Sequence, residues 1–337
     1  MAANRRITVF GAYGHTGRFV VSELRRREWL PILSGRDAEK LAALGEVQGG
    51  LDVRPALLED ATSLDRALEG SAAVINCAGP FLDTSAPVIS AALRARIPYL
   101  DVTAEQPAAL TAFERFSDPA RAAGVVIMPA VAFYGGLADL LATAAMDDWT
   151  AADEIHIAVA LDSWHPTPGT RLTGRRNTAQ RMIVTNGRLE PVANPPPTRT
   201  WEFPPPFGTQ EVVALPFTEI ITISRHLRSR TVRSYMNLAP IHDVRDPDTP
   251  PPVPADASGR SSQIFVMDVI VQRENDIRRL TARGVDIYAF TAPLIVEAME
   301  RLVIGRHERT GVLTAGEVFD ARDFLAAMNP WLSIAPQ

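Results

Sequence analysis

The chain has 337 residues, a net charge of −5 and a pI near 5.7. Its length fits two domains and its 46% hydrophobic content supplies a core, while the acidic balance excludes the basic field that nucleic acid or an anionic membrane would attract. A single cysteine, Cys77, excludes an internal disulfide and a cysteine metal cluster.

The first part alternates strand and helix. Strands are predicted near 6–11, 30–35, 51–56, 72–77, 98–102 and 124–129. Helices are predicted near 16–28, 37–44, 60–69, 84–95, 105–123 and 136–147, the fifth with a break at Asp118-Pro119 as an alternative. Strands that are almost wholly apolar suit a parallel sheet covered on both faces. The expected fold is therefore α/β: a Rossmann-type, doubly wound parallel sheet, with its ligand crevice outside the carboxyl ends of the strands. The apolar stretch 122–146 contains Pro129, Gly135-Gly136 and Asp139, so it reads as strand, loop and core helix and not as a membrane span.

The first strand runs into Gly11-Ala12-Tyr13-Gly14-His15-Thr16-Gly17 and then into a helix. In that context Gly11 makes the tight turn, Gly14 admits backbone to a pyrophosphate, and Gly17 lets helix pack on strand. The amide N–H groups at the helix start face the anion. The candidate cofactor residues here are Gly11, Tyr13, Gly14, His15, Thr16 and Gly17, with His15 bordering the pyrophosphate or nicotinamide.

The second strand ends in Ser34-Gly35-Arg36, with Lys40 one helical turn later. An NAD site carries an acid at this place for the ribose hydroxyls. An Arg instead grips a 2′-phosphate with two hydrogen bonds. Ser34, Arg36 and Lys40 therefore predict NADP; the alternative is a solvated helix face. Lys40 is the only lysine, so no Tyr-x-x-x-Lys pair and no other Schiff-base lysine exist. Gly-x-Ser-x-Gly, His-Glu-x-x-His and Gly-Lys-Ser/Thr motifs are also absent.

Cys77-Ala78-Gly79-Pro80 ends the fourth strand; small residues there let backbone lie against the ribose and nicotinamide, and Pro80 turns the chain outward. The apolar neighbours of Cys77 favour a buried structural thiol over a nucleophile. The fifth strand ends in Asp101-Val102-Thr103-Ala104-Glu105. Asp101 or Glu105 binds a substrate amine or relays a proton, or else Asp101 or Thr103 caps the following helix. Tyr134, near Asp139, is either a phenol donor or a packed aromatic.

After about residue 150 the texture changes. A strand is predicted over 155–160, a helix over 170–184, and strands at 211–214, 231–238 and 262–271. Proline triplets at 195–197, 204–206 and 250–252 mark two long loops, about 190–210 and 243–260. In the loop Trp164–Arg171, His165 is a candidate proton donor and Arg171 a candidate carboxylate ligand. His156, His226, His242 and His307 show no metal-ligand spacing, so no metal is expected. The tail is helical again, about 287–306 and 321–328, the first of these packing back on the nucleotide domain. The expected domains are 1–150 (NADP-binding), 151–285 (α+β, substrate or dimerisation) and 286–337 (helices returning to the first). The first strand begins almost at once, so no signal peptide is expected and the reading is cytoplasmic.

Gly11–Gly17, Ser34-Gly35-Arg36, Asn76-Cys77-Ala78-Gly79-Pro80-Phe81, Tyr99–Glu105 and Gly135–Asp139 together resemble the saccharopine dehydrogenase-like oxidoreductases over the first 145 residues or so. Only Gly284–Tyr288 and the following helix are reminiscent near the end. The resemblance implies a Rossmann domain with an inserted α+β domain and an NADP-dependent oxidoreductase, here expected as a homodimer without a nucleic-acid partner. Substrates of that type include imines or amino acids, carbonyls and activated alkenes. The catalytic candidates are Tyr134, His165, Glu105 and Asp101, working in a dry crevice between domains. The alternative is a non-catalytic, NADP-binding redox sensor.

Overall fold

A computed structural model describes residues 4–305 and 309–336. Within them the elements run β1 (Arg6–Phe10), α1 (His15–Arg26), β2 (Leu30–Gly35), α2 (Ala38–Val47), β3 (Val53–Pro55), α3 (Ala61–Leu68), β4 (Ala73–Asn76), α4 (Phe81–Ala95), β5 (Tyr99–Asp101), α5 (Gln106–Ala123) and β6 (Val126–Met128). A π-helical turn, Phe133–Leu137, leads into α6 (Ala138–Met146). Then follow β7 (Ala152–Leu161), α7 (Pro168–Arg176), β8 (Met182–Thr185), β9 (Arg188–Pro191), β10 (Thr198–Glu202), β11 (Thr209–Ala214), α8 (Glu219–His226), β12 (Ser229–Asn237) and α9 (Leu238–Arg245). The chain ends with β13 (Ile264–Arg273), β14 (Asp276–Val285), α10 (Ile287–Ile304), β15 (Gly311–Val312), α11 (Ala315–Val318), α12 (Ala321–Ala326) and β16 (Leu332–Pro336).

The chain divides into two compact units, 1–132 with 291–313, and 133–290 with 314–337. The division differs from the expected boundaries at 150 and 285: the break comes just before the π-helical turn, and the residues after 313 lie with the second unit.

The first unit is a seven-stranded sheet in the order β15-β6-β5-β4-β1-β2-β3, with every pair parallel. Val9, Ile75 and Leu100 are wholly buried, as a parallel sheet covered on both faces requires. The order reverses between β1 and β4, and a doubly wound sheet binds ligands at the carboxyl end of such a pair. α5 runs unbroken through Pro119. Helix α10 returns to this unit through charge. The Arg27 guanidinium donates to Glu297 at 2.5 Å and Glu300 at 2.6 Å, and to Glu23 on its own helix at 2.7 Å. Trp29 Nε1 donates to the other oxygen of Glu300. Arg306 and His307 lie outside the described residues.

The second unit carries a mixed sheet, β10-β11-β12-β7-β13-β14-β16, in which only β12 and β7 run parallel. Alternation sorts its faces. Ala158, Ala160, Val212, Ala214, Tyr235 and Val266 form one core with Trp201 and Phe203. α6 packs on β13 and β14, and α8 on β12.

Two expectations fail here. The helix predicted over 170–184 stops at Arg176, and residues 182–185 form β8. Asn186 (φ 50°) and Gly187 (φ 73°) make a tight two-residue turn into β9, which sets strand pairing over helical periodicity. The loop predicted over 190–210 contains β10, paired antiparallel with β11, and its prolines lie outside the paired stretch. Among the described residues no helix is long and apolar enough to cross a membrane.

Arg27 neutralises three carboxylates in a setting where its side chain is only 12% exposed. Arg27→Ala leaves those acids facing one another, so it should cost about 3 kcal/mol or more in urea unfolding. Exposed Arg96→Ala serves as the control and should cost less than about 0.5 kcal/mol.

Candidate functional site

The turn after β1 is fixed by backbone. Gly11 N and Ala12 N both donate to Ser34 O, at 2.8 and 3.2 Å, and Cys77 N donates to Phe10 O at 2.7 Å. Ser34, Phe10, Asn76 and Asp101 are consecutive register partners, so four strand ends lie in one row. Gly11 has φ +83°, and a Cβ there would sit 2.8 Å from Ala78 N. A Cβ on Gly17 would lie 2.3 Å from Gly11 O. A Cβ on Gly14 would lie 3.1 Å from the same oxygen. The expected roles of Gly11 and Gly17 thus have a direct steric cause.

Helix α1 begins at His15 behind Gly14, with no side-chain cap and no acid in its first turn. Its first amide donors and positive dipole end are left for an anion. Thr16 sits in this turn, and the His15 ring stands edge-on to Phe19 at 5.2 Å. Ser34 is wholly buried, and its Oγ meets no hydrogen-bond partner among the described residues. A buried hydroxyl without a protein partner is a place for a water or a ligand group. The Tyr13 ring lies against Gly35, where a Cβ would come within 3.0 Å of it, and Lys40 Nζ sits 5.7 Å over that ring. Lys40 also pairs with Asp37 at 2.9 Å. Asp37 caps α2 by accepting from Lys40 N, and these contacts hold its carboxyl below the usual range. Arg36 is exposed and makes no hydrogen bond or ion pair among the described residues. The glycine cradle, the uncapped helix, the orphan Ser34 hydroxyl and a free Arg36 together fit a dinucleotide.

The far wall of the turn is built by Asn76. Its Oδ1 accepts from Ala78 N at 3.0 Å, and its Nδ2 donates to Thr84 Oγ1 and Tyr99 Oη. Thr84 Oγ1 in turn donates to Ala78 O at 2.6 Å. Ala78 is therefore held at both its polar atoms, with exposed Gly79 and buried Pro80 following it. Cys77 is partly rather than fully buried, and desolvation with the nearby Asp101 charge pushes its thiol up, so it stays protonated.

Asp101 and Glu105 do not stand at a crevice mouth as free acids. Asp101 Oδ1 accepts from Ala130 N at 2.8 Å and Thr103 N at 3.0 Å, while Oδ2 accepts from Tyr99 Oη at 2.8 Å. Glu105 accepts from Phe81 N at 2.7 Å and Leu82 N at 3.2 Å, so it caps α4, a helix that a sequence reading does not link to it. Thr103 Oγ1 accepts from Glu105 N just ahead of α5. Burial raises both carboxyls above their ordinary values, and these hydrogen bonds pull them back.

The second unit holds a separate cluster. Tyr134 stacks on Phe217 at 4.1 Å and tilts against Trp164 at 6.1 Å. Its hydroxyl is buried, without a partner among the described residues, and burial raises it well above the ordinary tyrosine value. Arg181 lies 4.5 Å over the Phe217 ring and donates to Pro216 O at 2.6 Å. Glu219, wholly buried, accepts from Phe217 N at 2.9 Å, and desolvation raises its carboxyl. Tyr288 Oη bonds to Trp164 Nε1 and Thr170 Oγ1, both at 2.9 Å. Arg181 and Glu219 lie 38 residues apart in a chain without a motif joining them, and only the fold reveals the pair. His165 is partly exposed and makes no hydrogen bond among the described residues. Arg171 instead ties the loop after α9, donating to Asp246 O and Thr249 O. Asp139 is buried between His226 at 2.6 Å and Gly316 N at 2.8 Å.

Residues 7–128 match the model of the saccharopine dehydrogenase NADP binding domain. That match covers most of the first segment of the first unit. A saccharopine dehydrogenase-like oxidoreductase from Homo sapiens is 30% identical over 162 residues, which cover 42% of this chain and 38% of the relative. The Bos taurus relative of the same description is 29% identical over 161 residues, with the same coverage. The chain thus matches well under half the length of these curated relatives. In fold it resembles the Saccharomyces cerevisiae saccharopine dehydrogenase (L-Glu forming), with a TM-score of 0.67 at 11% identity over 99% of this chain and 100% of that one. The first unit is therefore a Rossmann-type domain similar in sequence to the saccharopine dehydrogenase NADP binding domain.

Glu219 gives a pH signature. Its folded carboxyl titrates above its ordinary 4.5, so the native state holds a proton that the unfolded chain has lost. The stability this adds is complete below pH 4.5 and disappears as pH rises through the native value. Glu219→Gln should therefore gain stability relative to wild type as pH rises from about 4.5 to 8, measured by urea unfolding at each pH. A difference that stays flat across that range would show that Glu219 titrates normally.

Proposed function

We propose that the protein is an NADP-dependent oxidoreductase that reduces a C=N, C=O or activated C=C bond of a small metabolite. The observation that carries this is the uncapped start of α1 behind a glycine turn on which Cβ atoms at Gly11 and Gly17 would collide with backbone. The dinucleotide would supply hydride. This chain's residues would bind and orient it. Amides of Tyr13, His15, Thr16 and Gly17 would take the pyrophosphate, Ser34 Oγ a ribose hydroxyl, and Ala78 and Gly79 would flank the nicotinamide side.

Charge selects the phosphorylated form. Asp37, the acid next to Arg36, is engaged as helix cap and partner of Lys40. Its neighbour Arg36 is left with five N–H donors for a 2′-phosphate, and Tyr13 offers a face for the adenine.

Reduction also needs a proton. Asp101 and Glu105 are saturated by backbone donors, which suits them to holding the sheet ends and not to relay. Tyr134 is protonated at neutral pH and has a hydroxyl without a partner among the described residues, so it is the donor we assign. His165, with no hydrogen bond among the described residues to orient it, is the weaker candidate.

Titration calorimetry tests the cofactor. Arg36→Ala should weaken NADPH by about tenfold or more and leave NADH within about twofold. Equal loss for both would overturn the NADP assignment. Tyr134→Phe should leave NADPH binding unchanged and slow its oxidation by imines, ketones or enoyl esters by about 100-fold or more. Undiminished turnover would remove Tyr134 from the chemistry.

A further inference from the structure

Within the second unit the Phe217 ring is covered twice. Tyr134 stacks on it at 4.1 Å with an interplanar angle of 22°, which fills one face. The Arg181 guanidinium, 4.5 Å over the same ring, must use the other. One of its N–H groups is held by Pro216 O, and the rest meet no acceptor among the described residues. No carboxylate lies within ion-pairing distance of Arg181 among those residues, although Glu219 is close enough to feel its field.

A cation in this position is unusual. Burial works against its charge, and the acid that would offset it, Glu219, is itself pushed toward its neutral form. Cation–π contact with Phe217 recovers part of the desolvation cost and fixes the guanidinium plane. A planar fork immobilised on an aromatic ring, with donors to spare, is the arrangement that receives a carboxylate through two hydrogen bonds. On the other side of the ring the Tyr134 hydroxyl is more than nine-tenths buried and also lacks a partner. Phe133 and Trp164 stand around Tyr134 at 5.0 and 6.1 Å and supply apolar surface.

We infer that Arg181 holds the carboxylate of an apolar acid whose reducible group reaches Tyr134, so that the substrate class is a monocarboxylic acid with a hydrocarbon or aromatic body. The inference rests on the assignment of Tyr134 as proton donor, but its test needs no turnover. Phe217 is the spacer that sets the distance between the two contacts, and Glu219, bonded to Phe217 N, positions that ring.

The same unit has a second cluster of arginines. An open groove of about 560 Å³ is lined by Asn186, Ser224, Arg228 and Arg230 among others. Arg228 and Arg230 are exposed there, with no aromatic ring against them. They serve as the control.

The test is calorimetric titration of the full chain with hexanoate, octanoate and 3-phenylpropanoate, and with their primary amides, with and without NADPH. At least one acid should bind about tenfold or more tightly than its amide. Arg181→Gln should abolish that preference, Arg181→Lys should retain part of it, and Arg228→Gln should leave it whole. Thermal melts of each variant verify folding. Equal binding of acid and amide, no binding of any acid, or a preference that survives Arg181→Gln but not Arg228→Gln would each overturn the inference. NADPH binding in the same cell separates this from the cofactor assignment. A chain that binds NADPH but ignores the acids refutes only the carboxylate site, and one that binds acids but not NADPH refutes only the cofactor.

Discussion

The first unit depends on how closely the turn after β1 approaches the end of β4. Gly11 and Ala78 are separated by less than one methyl group's clearance. That approach is possible only because the parallel register puts Phe10 opposite both Ser34 and Asn76. Each of those partners then fixes one side of the turn. The Ser34 carbonyl takes two amides from the Gly11 side, and the Asn76 side chain with Thr84 clamps Ala78 from the other. The start of α1 is thereby held by backbone and buried amide chemistry, with Arg18 Nε adding a bond to Tyr13 O at 3.1 Å. Its dipole stays uncompensated, as a phosphate-binding helix start must be.

The same logic explains the buried acids. A carboxylate in the interior is tolerable where backbone N–H groups saturate it. Asp101 takes two amides and a phenol, joining β5 to the segment after β6. Glu105 takes the first two amides of α4. A negative charge at that helix start lowers its attraction for a second anion, whereas α1 carries none. The sheet end thus has one helix start open to an anion and one already closed, an asymmetry that would favour an anion at the glycine turn.

Much of the first unit was legible because β1, β2, β4 and β6 are short, largely apolar runs, and β1, β2 and β6 end at Gly11, Gly35 and Pro129. The roles of individual polar residues were less legible. A sequence shows that Asp101 and Glu105 follow a strand, but not that their hydrogen-bond donors lie at Ala130 and at Phe81, 29 and 24 residues away. In the second unit long-range pairing decides more. β14 carries Asp276, Arg278, Arg279 and Arg283, so it lacks an apolar pattern, yet it pairs along its whole length with β13 after a turn at Glu274, φ 54°. Arg279 bonds to buried Asp268 across that pair, which makes a polar residue part of the interior. The run from Arg171 to Val184 has helical periodicity, but Asn186-Gly187 folds its end into a hairpin. Arg181 owes its position to that hairpin, since a helix continued through 184 would turn it by the wrong period.

The two units solve different electrostatic problems with few charged side chains. In the first, an exposed arginine remains free because the nearby acid caps a helix and binds the chain's single lysine. Had Asp37 been free to face the ribose, its charge would oppose a 2′-phosphate whatever Arg36 did. In the second, an arginine lies over an aromatic ring while the nearby acid accepts from that residue's backbone N, and the two form no ion pair among the described residues. Pairing the two directly would be more stable for the empty protein, but it would also close the guanidinium to any other anion. A cation held short of its counter-ion is an arrangement that a bound carboxylate would relieve, and the ring of Phe217 supports it in a way an aliphatic residue could not.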